Sequence, residues 1–359
     1  MDHTCRNQPG ARNRQLIRAS SLTPIVSRRK LTALLGAVGS LSVIPNAHAE
    51  RRYTLRLATW GSSLAPQVTN FVGLFKTLVA TNGHGQLIIE DFPGGSLVQE
   101  NAVPSAIENH VVDISLTTYG SWDSIVPFAH ALNTILFAPQ AEDFLHTIGP
   151  GTPLFNAFDT AMTQRGAKVL GVLYNGPVVV MSHKPMNTPG AFHGKTVRVF
   201  DRLTSEIVET LGAAPSTIDV ADVYPALERG TVQAAIGGLE GVYGLKEYEV
   251  AKYCLATNGA FGLLLTGYVM DAHSYAALPK NLQAVVRHAA YTATKAANQA
   301  MIKAYATEVA AMRAHGTTVT VLKRNSPAYE TFSKALLPLA AKERARIAPA
   351  VLKLLRSVH

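Results

Sequence analysis

The sequence predicts an α/β protein of two lobes with a cleft between them. Three observations carry that expectation: strand and helix patterns alternate from Tyr53 to Thr117, the alternation recurs from Lys168 to Ile236, and no flexible linker separates the halves. The 359 residues, 47% hydrophobic and 16% charged, supply enough apolar material for two packed cores and too few charges for a disordered chain.

Residues Tyr53 to Thr59 alternate apolar Leu55 and Leu57 with Thr54 and Arg56, the period of a half-buried strand. Gln67 to Ala80 follows with Val68, Phe71, Val72, Phe75, Leu78 and Val79 at helical spacing. A second strand, Leu87 to Phe92, runs into the breaker cluster Pro93-Gly94-Gly95-Ser96; a helix from Glu100 to Asn109 and a third strand from Val111 to Thr117 come next. This order predicts a parallel sheet covered on both faces. The second lobe reads as strands at Lys168 to Leu173, Val178 to Ser182, Thr196 to Phe200, Pro215 to Asp219 and Ala234 to Ile236, with helices at Ser205 to Leu211 and Asp222 to Glu228. Lys280 to His315 is Ala-rich and almost free of breakers, so it predicts one long helix, and a terminal helix is expected from Ala341 to Ser357. Without a tether, the lobes are expected to exchange strands.

The net charge of +9 suggests a nucleic-acid binder only until it is located. Residues 1–49 hold seven basic side chains against Asp2, +6 of the total, which leaves +3 for the rest and no basic stripe for phosphates. That segment reads as a signal peptide: Ser27-Arg28-Arg29-Lys30, an apolar run from Leu31 to Pro45, then Ala47-His48-Ala49. The run is about 15 residues, short of the ~20 that span a bilayer, so cleavage before Glu50 and a periplasmic mature chain are expected. Arg28 and Arg29 leave the twin-arginine and general export routes both open. Of the two cysteines, Cys5 leaves with the leader, and Cys254, in an apolar run, is expected to be buried.

Catalytic signatures are missing. The sequence has no His-Glu-x-x-His, no Gly-x-Ser-x-Gly elbow, no phosphate loop with Lys-Ser/Thr and no paired-cysteine metal site. Gly149-Pro150-Gly151 reads as a turn, because proline removes an amide that would face a phosphate. No enzyme activity, metal or cofactor is implied.

Several strings, in order along the chain, resemble the solute receptors of tripartite ATP-independent periplasmic (TRAP) transporters, the DctP family. They are Phe92-Pro93-Gly94-Gly95-Ser96-Leu97 with Glu100; Gly194-Lys195-Thr196-Val197-Arg198-Val199; Leu211-Gly212-Ala213; Asp222-Val223-Tyr224-Pro225-Ala226-Leu227; Gly230-Thr231-Val232; and Tyr248-Glu249-Val250-Ala251-Lys252-Tyr253. The resemblance implies a type II periplasmic binding protein fold, with hinge strands and a long helix spanning both lobes. Lobe I would take residues 50–174 and 264–303, and lobe II residues 175–263 and 304–359. It also implies a receptor that closes on a small organic acid and delivers it to membrane permease subunits; a monomer is expected. The carboxylate anchor of the family falls on Arg198, whose planar guanidinium offers a bidentate fork.

The departures are as informative. Many members carry a second arginine after Tyr-Asn-Gly; here Tyr174-Asn175-Gly176 is followed by Pro177 and Val178. A family asparagine falls at Gly237, beside Gly238; an early polar position is Trp60; and a position acidic in sugar-acid receptors is Thr118. A cleft so altered is expected to prefer a monocarboxylate with an apolar or aromatic body over a dicarboxylate or sugar acid. Tyr119 and Trp122 follow the third strand and either line the cleft or pack beneath it. Asn175 and Glu240 fit polar pocket positions or ordinary hinge positions, and Glu100 fits a ligand contact or a first-turn helix charge. Two rivals share the fold: a ligand sensor for a membrane signalling protein and, less favoured, a periplasmic enzyme, which would need a nucleophile and base converging near Arg198.

Overall fold

The computed structural model describes residues 51–355 except 62, 64 and 137–140, so the leader read over residues 1–49 lies outside the described residues. Among the described residues, eleven strands form two sheets. They are β1 (Tyr53–Ala58), β2 (Leu87–Phe92), β3 (Ile114–Thr118), β4 (Ala167–Pro177), β5 (Val179–Ser182), β6 (Thr196–Val199), β7 (Ala214–Thr217), β8 (Ala234–Gly237), β9 (Tyr253–Ala256), β10 (Leu263–Asp271) and β11 (Thr318–Val321).

The first sheet runs β2-β1-β3-β10-β4 and the second β11-β9-β5-β8-β6-β7. Both are mixed. In the first, β1 pairs parallel with β2 and β3, while β10 lies antiparallel between β3 and β4. The expected all-parallel sheet is therefore interrupted by a strand from far along the chain. All nine residues of β10 are buried, so it lacks the alternation by which a half-exposed strand is read. The run Val178-Val179-Val180-Met181 is apolar for the same reason: Val178 and Val180 pack in one core of the second sheet, Val179 and Met181 in the other. Cys254 is buried in β9, where loss of water pushes its thiol up to about 12.

Two backbone crossings join the sheets. One passes from β4 to β5 through Val178, the other from β9 to β10 through residues 257–262. They are bonded to each other: Val178 N donates to Gly262 O at 3.3 Å, and Thr257 Oγ1 donates to Val178 O at 2.6 Å. A third connection is the 35-residue helix Lys280–Ala314, about 52 Å long at 1.5 Å per residue. Ala289, Ala293 and Ala297 pack it into the core of the first sheet, and Met312 packs into the second. Its small side chains let it lie close on the helix Pro66–Asn82 and on β4. The terminal helix expected from Ala341 to Ser357 is instead two helices, Pro327–Ala345 and Pro349–Leu355. Ser326 caps the first by accepting from Tyr329 N, and Pro349 starts the second at the position where proline needs no amide.

β4 and β10 meet at a pair of glycines. A Cβ on Gly267 would lie 2.1 Å from Gly171 O and 2.5 Å from Tyr119 Oη. Tyr119 donates its hydroxyl to that same Gly171 carbonyl at 2.7 Å, so no atom in the cluster can retreat without breaking a buried bond. Gly267→Ala is expected to destabilise the protein by about 3 kcal/mol, read as a lower urea midpoint at unchanged slope.

Candidate functional site

Arg198 sits in β6, flanked in register by Ser216 of β7 and Ala235 of β8. Its neighbours Val197 and Val199 point into one core, so strand alternation sends the arginine to the opposite face. There it is 4% exposed. Its Nε donates to Ile218 O at 2.9 Å, Nη1 to Ile236 O at 3.0 Å and Nη2 to Glu100 Oε2 at 3.3 Å. A guanidinium has five N–H groups, so these bonds leave one on each terminal nitrogen, the pair that grips a carboxylate.

Glu100 reaches Arg198 from the other sheet. It opens a 3₁₀ turn, Glu100–Ala102, beyond the Pro93-Gly94-Gly95 turn, where Gly94 and Gly95 take φ of 63° and 74° and Gly95 N donates to Thr59 O. Thr118, at the end of β3, donates its hydroxyl to Glu100 Oε1 at 2.7 Å. A buried chain Thr118–Glu100–Arg198 thus joins the two sheets. Burial raises the Glu100 carboxyl above its ordinary range, against the opposing pull of Arg198 and Thr118.

Glu100 and Arg198 border a partly open cavity of about 40 Å³, which at ~10–15 Å³ each has room for a few waters. Trp60, Phe200, Val242 and Leu264 give it apolar walls. Trp60 Nε1 is turned away to donate to Leu116 O at 2.8 Å, so the ring and not the N–H faces the space. Gly237 and Gly238 also line it, and Gly238 leaves no room for a side chain: a Cβ there would lie 2.8 Å from Glu240 Oε2 and 2.7 Å from Leu264, whereas one on Gly237 would meet only Val242, at 3.5 Å.

Two further carboxylates line the cavity. Glu240, in the first turn of the helix Leu239–Gly244, accepts from Asn175 Nδ2 at 2.7 Å through Oε1. Glu247 starts the short helix Glu247–Val250. Neither Oε2 has a hydrogen-bond partner among the described residues. Burial pushes both carboxyls up to about 7, despite the Asn175 bond and the pull of the Gly241 and Glu240 amides at Glu240 and the charge of Arg198 near Glu247.

Asn175 holds the hinge together. Its Nδ2 also donates to Gln67 Oε1 at 2.6 Å, and its Oδ1 accepts from Thr266 N at 3.1 Å and Thr266 Oγ1 at 2.8 Å. One side chain therefore links the helix Pro66–Asn82, β10 and Glu240.

Of the residues singled out in the sequence, Arg198, Trp60, Glu100, Gly237, Gly238 and Glu240 line the cavity, with Thr118 and Asn175 bonded directly to lining side chains. Tyr119 and Val178 do not line it. Tyr119 is 1% exposed and packs edge-on against Phe158, and Val178 is built into the crossing. Trp122 is likewise core, donating Nε1 to Thr117 Oγ1 at 2.8 Å. Sequence reasoning missed Glu247, Gln67, Thr266 and Phe200. Phe200 had a signal, since it lies two residues beyond Arg198 on the same side, with its ring 5.7 Å from the guanidinium. Glu247 had only its place one residue before the Tyr248 string.

A second ionic cluster ties the ends of the two sheets outside the cavity. Arg202 Nη2, in the helix Arg202–Thr210 after β6, donates to Asp123 Oδ2 at 2.8 Å and to Glu343 Oε2 at 2.6 Å. His130 lies between the same acids, 3.2 Å from Glu343 Oε2 and 3.5 Å from Asp123 Oδ2. Burial alone would raise the Asp123 carboxyl, but bonds from His130 and Arg202 overcome it and hold the group at about 2. Because the folded value lies below the ordinary value of 3.8, this stabilisation is complete above about pH 4 and lost as pH falls towards 2. Asp123→Asn is expected to cost about 2 kcal/mol at pH 7 and to flatten that part of the acid limb, measured by denaturation across pH.

Two mixed α/β sheets, joined by two strand crossings and a spanning helix and closed over a buried arginine, define a cleft-type solute-binding protein. The family model for bacterial extracellular solute-binding protein, family 7 (DctP), matches residues 57–345, and the chain belongs to that family. Its members are receptors for solutes and not enzymes. Among relatives, protein y4mM of Sinorhizobium fredii is 24% identical over 324 residues, 89% of this chain and 58% of that protein. The 2,3-diketo-L-gulonate-binding periplasmic protein YiaO of Escherichia coli is 25% identical over 194 residues, 53% of this chain and 58% of that protein. The chain thus spans 58% of the length of each of these two relatives. A TRAP periplasmic solute-binding protein of Ralstonia eutropha H16, solved with bound (S)-2-acetolactate, superposes with a TM-score of 0.78 at 21% identity, covering 85% of this chain and 98% of that one. The likeness shows a shared fold.

Proposed function

We propose that this protein is the periplasmic receptor of a TRAP transporter, closing on a small organic acid and delivering it to membrane permease subunits. The observation that carries the proposal is Arg198, buried at the cavity with two N–H groups left to grip a carboxylate. Family membership and the carboxylate bound by the Ralstonia protein support it. A single arginine among Trp60, Phe200, Val242 and Leu264 favours a monocarboxylate with an apolar or aromatic body. The cavity is smaller than such a ligand, so the lobes, residues 50–174 with 264–303 and 175–263 with 304–359, must part at the Val178–Gly262 crossing to admit it. In this reading the receptor acts as a monomer, released from its leader before Glu50.

A thermal-shift screen of ligand-free protein against a carboxylic-acid library tests the reading. An acid at 100 times its Kd adds roughly 2.7 kcal/mol of stability, a readily measured shift. If refolded protein gives a cooperative transition that no acid moves, carboxylate capture is wrong.

A further inference from the structure

The cavity holds more acid than an acid receptor needs. Three carboxylates, Glu100, Glu240 and Glu247, border it with one cation, Arg198. Glu100 already neutralises that cation across the sheets. A plain carboxylate ligand would add an anion beside Glu240 and Glu247, and because low dielectric magnifies repulsion it would have to hold both of them protonated.

Glu240 and Glu247 arrive from separate helices and are 5% and 4% exposed. Each turns one oxygen to no donor among the described residues. A buried acceptor without a donor costs about 1–3 kcal/mol, more when charged, so two in one cavity mark a place where donors are to be supplied. Water would satisfy the hydrogen bond but not the charge. An ammonium or amidinium satisfies both.

We propose that the ligand is zwitterionic: an amino or amidino acid whose carboxylate is held by Arg198 and whose cationic N–H group is held by Glu240 and Glu247. The proposal rests on the receptor reading above and narrows its substrate class. A zwitterion adds no net charge to the cavity, and its apolar body still meets Trp60, Phe200 and Leu264. Arg198 and Glu247 are close enough to influence one another, which suits a ligand whose two charged groups are near neighbours.

Calorimetric titration of matched pairs tests this: α-, β- and γ-amino acids with apolar bodies, each beside the desamino acid of the same skeleton. The expected result is that the best amino acid binds at least about 30-fold more tightly than its desamino partner. Glu247→Gln, or Glu240→Gln if the first does not fold, should reduce that preference to within about threefold, by weakening amino-acid binding and by relieving the repulsion that the desamino acid meets. Desamino acids binding as well as or better than amino acids would overturn the inference and leave the receptor reading standing. A Gln variant that retains the full preference for amino acids would overturn the assigned role of the two glutamates, because glutamine mimics only a protonated, neutral acid. If neither series binds folded protein, the receptor reading itself fails and takes the inference with it.

Discussion

Arg198→Met is expected to abolish carboxylate binding and to weaken the fold at once. The methionine keeps the apolar stem but removes five N–H donors, including the two left for a ligand. Loss of a charge-assisted bidentate contact at a buried arginine should cost at least about 100-fold in affinity. Stability suffers separately. Glu100 loses its counter-charge while remaining bonded to Thr118, and the carbonyls of Ile218 and Ile236 lose their donor. Removing one partner of a buried ion pair costs about 3–5 kcal/mol, which calorimetric unfolding of the variant without ligand would report. Arg198→Lys should fare little better in binding, since one ammonium cannot serve Ile218, Ile236 and Glu100 in the geometry of a planar fork.

Glu240→Gln should act in the opposite direction on stability. Burial pushes the folded Glu240 carboxyl up to about 7 from its ordinary 4.5, so the folded state holds its proton more tightly than the unfolded chain does. For a carboxyl raised in this way, the native state is favoured below pH 4.5, and that advantage is lost as pH rises through 7. Glutamine carries no charge to desolvate and still offers Asn175 an acceptor. The variant should therefore be more stable than wild type at pH 7.5 by up to about 3 kcal/mol, with a small difference at pH 4.5, in urea titrations at the two values. A substitution that stabilises the empty protein while eroding ligand preference is the signature of a residue kept for recognition.

Much of the scaffold was legible because its strands obey local rules. Leu55 and Leu57 alternate in β1, breakers bound β2, and the Ala-rich stretch from Lys280 makes one uninterrupted helix. β10 was not legible, since Leu263-Leu264-Leu265 and Tyr268-Val269-Met270 are buried on both faces and show no period. The helix Pro327–Ala345 was hidden by Pro338 in its interior, and the turn before Pro349 then divided what read as one terminal helix. Within the site, Arg198 could be found from its string of neighbours, but its partner could not. Glu100 lies 98 residues away and looks locally like a first-turn helix charge; only the folded chain reveals that it faces an arginine on the other sheet. Glu247 was invisible for a related reason, because nothing in a sequence marks a glutamate as buried. Tyr119 and Val178 stand at strand ends beside the cavity, yet the hydrogen bonds to Gly171 and Gly262 commit them to the core and the crossing.

Calorimetric titration of the tightest-binding acid beside its primary amide tests the central claim most directly. The amide keeps the body and size of the ligand but removes the negative charge that Arg198 is built to grip. Binding of the acid at least about 100-fold more tightly than the amide, with the difference abolished in Arg198→Met, is the predicted result. Equal affinity for acid and amide in the wild-type protein would contradict capture of a carboxylate by Arg198.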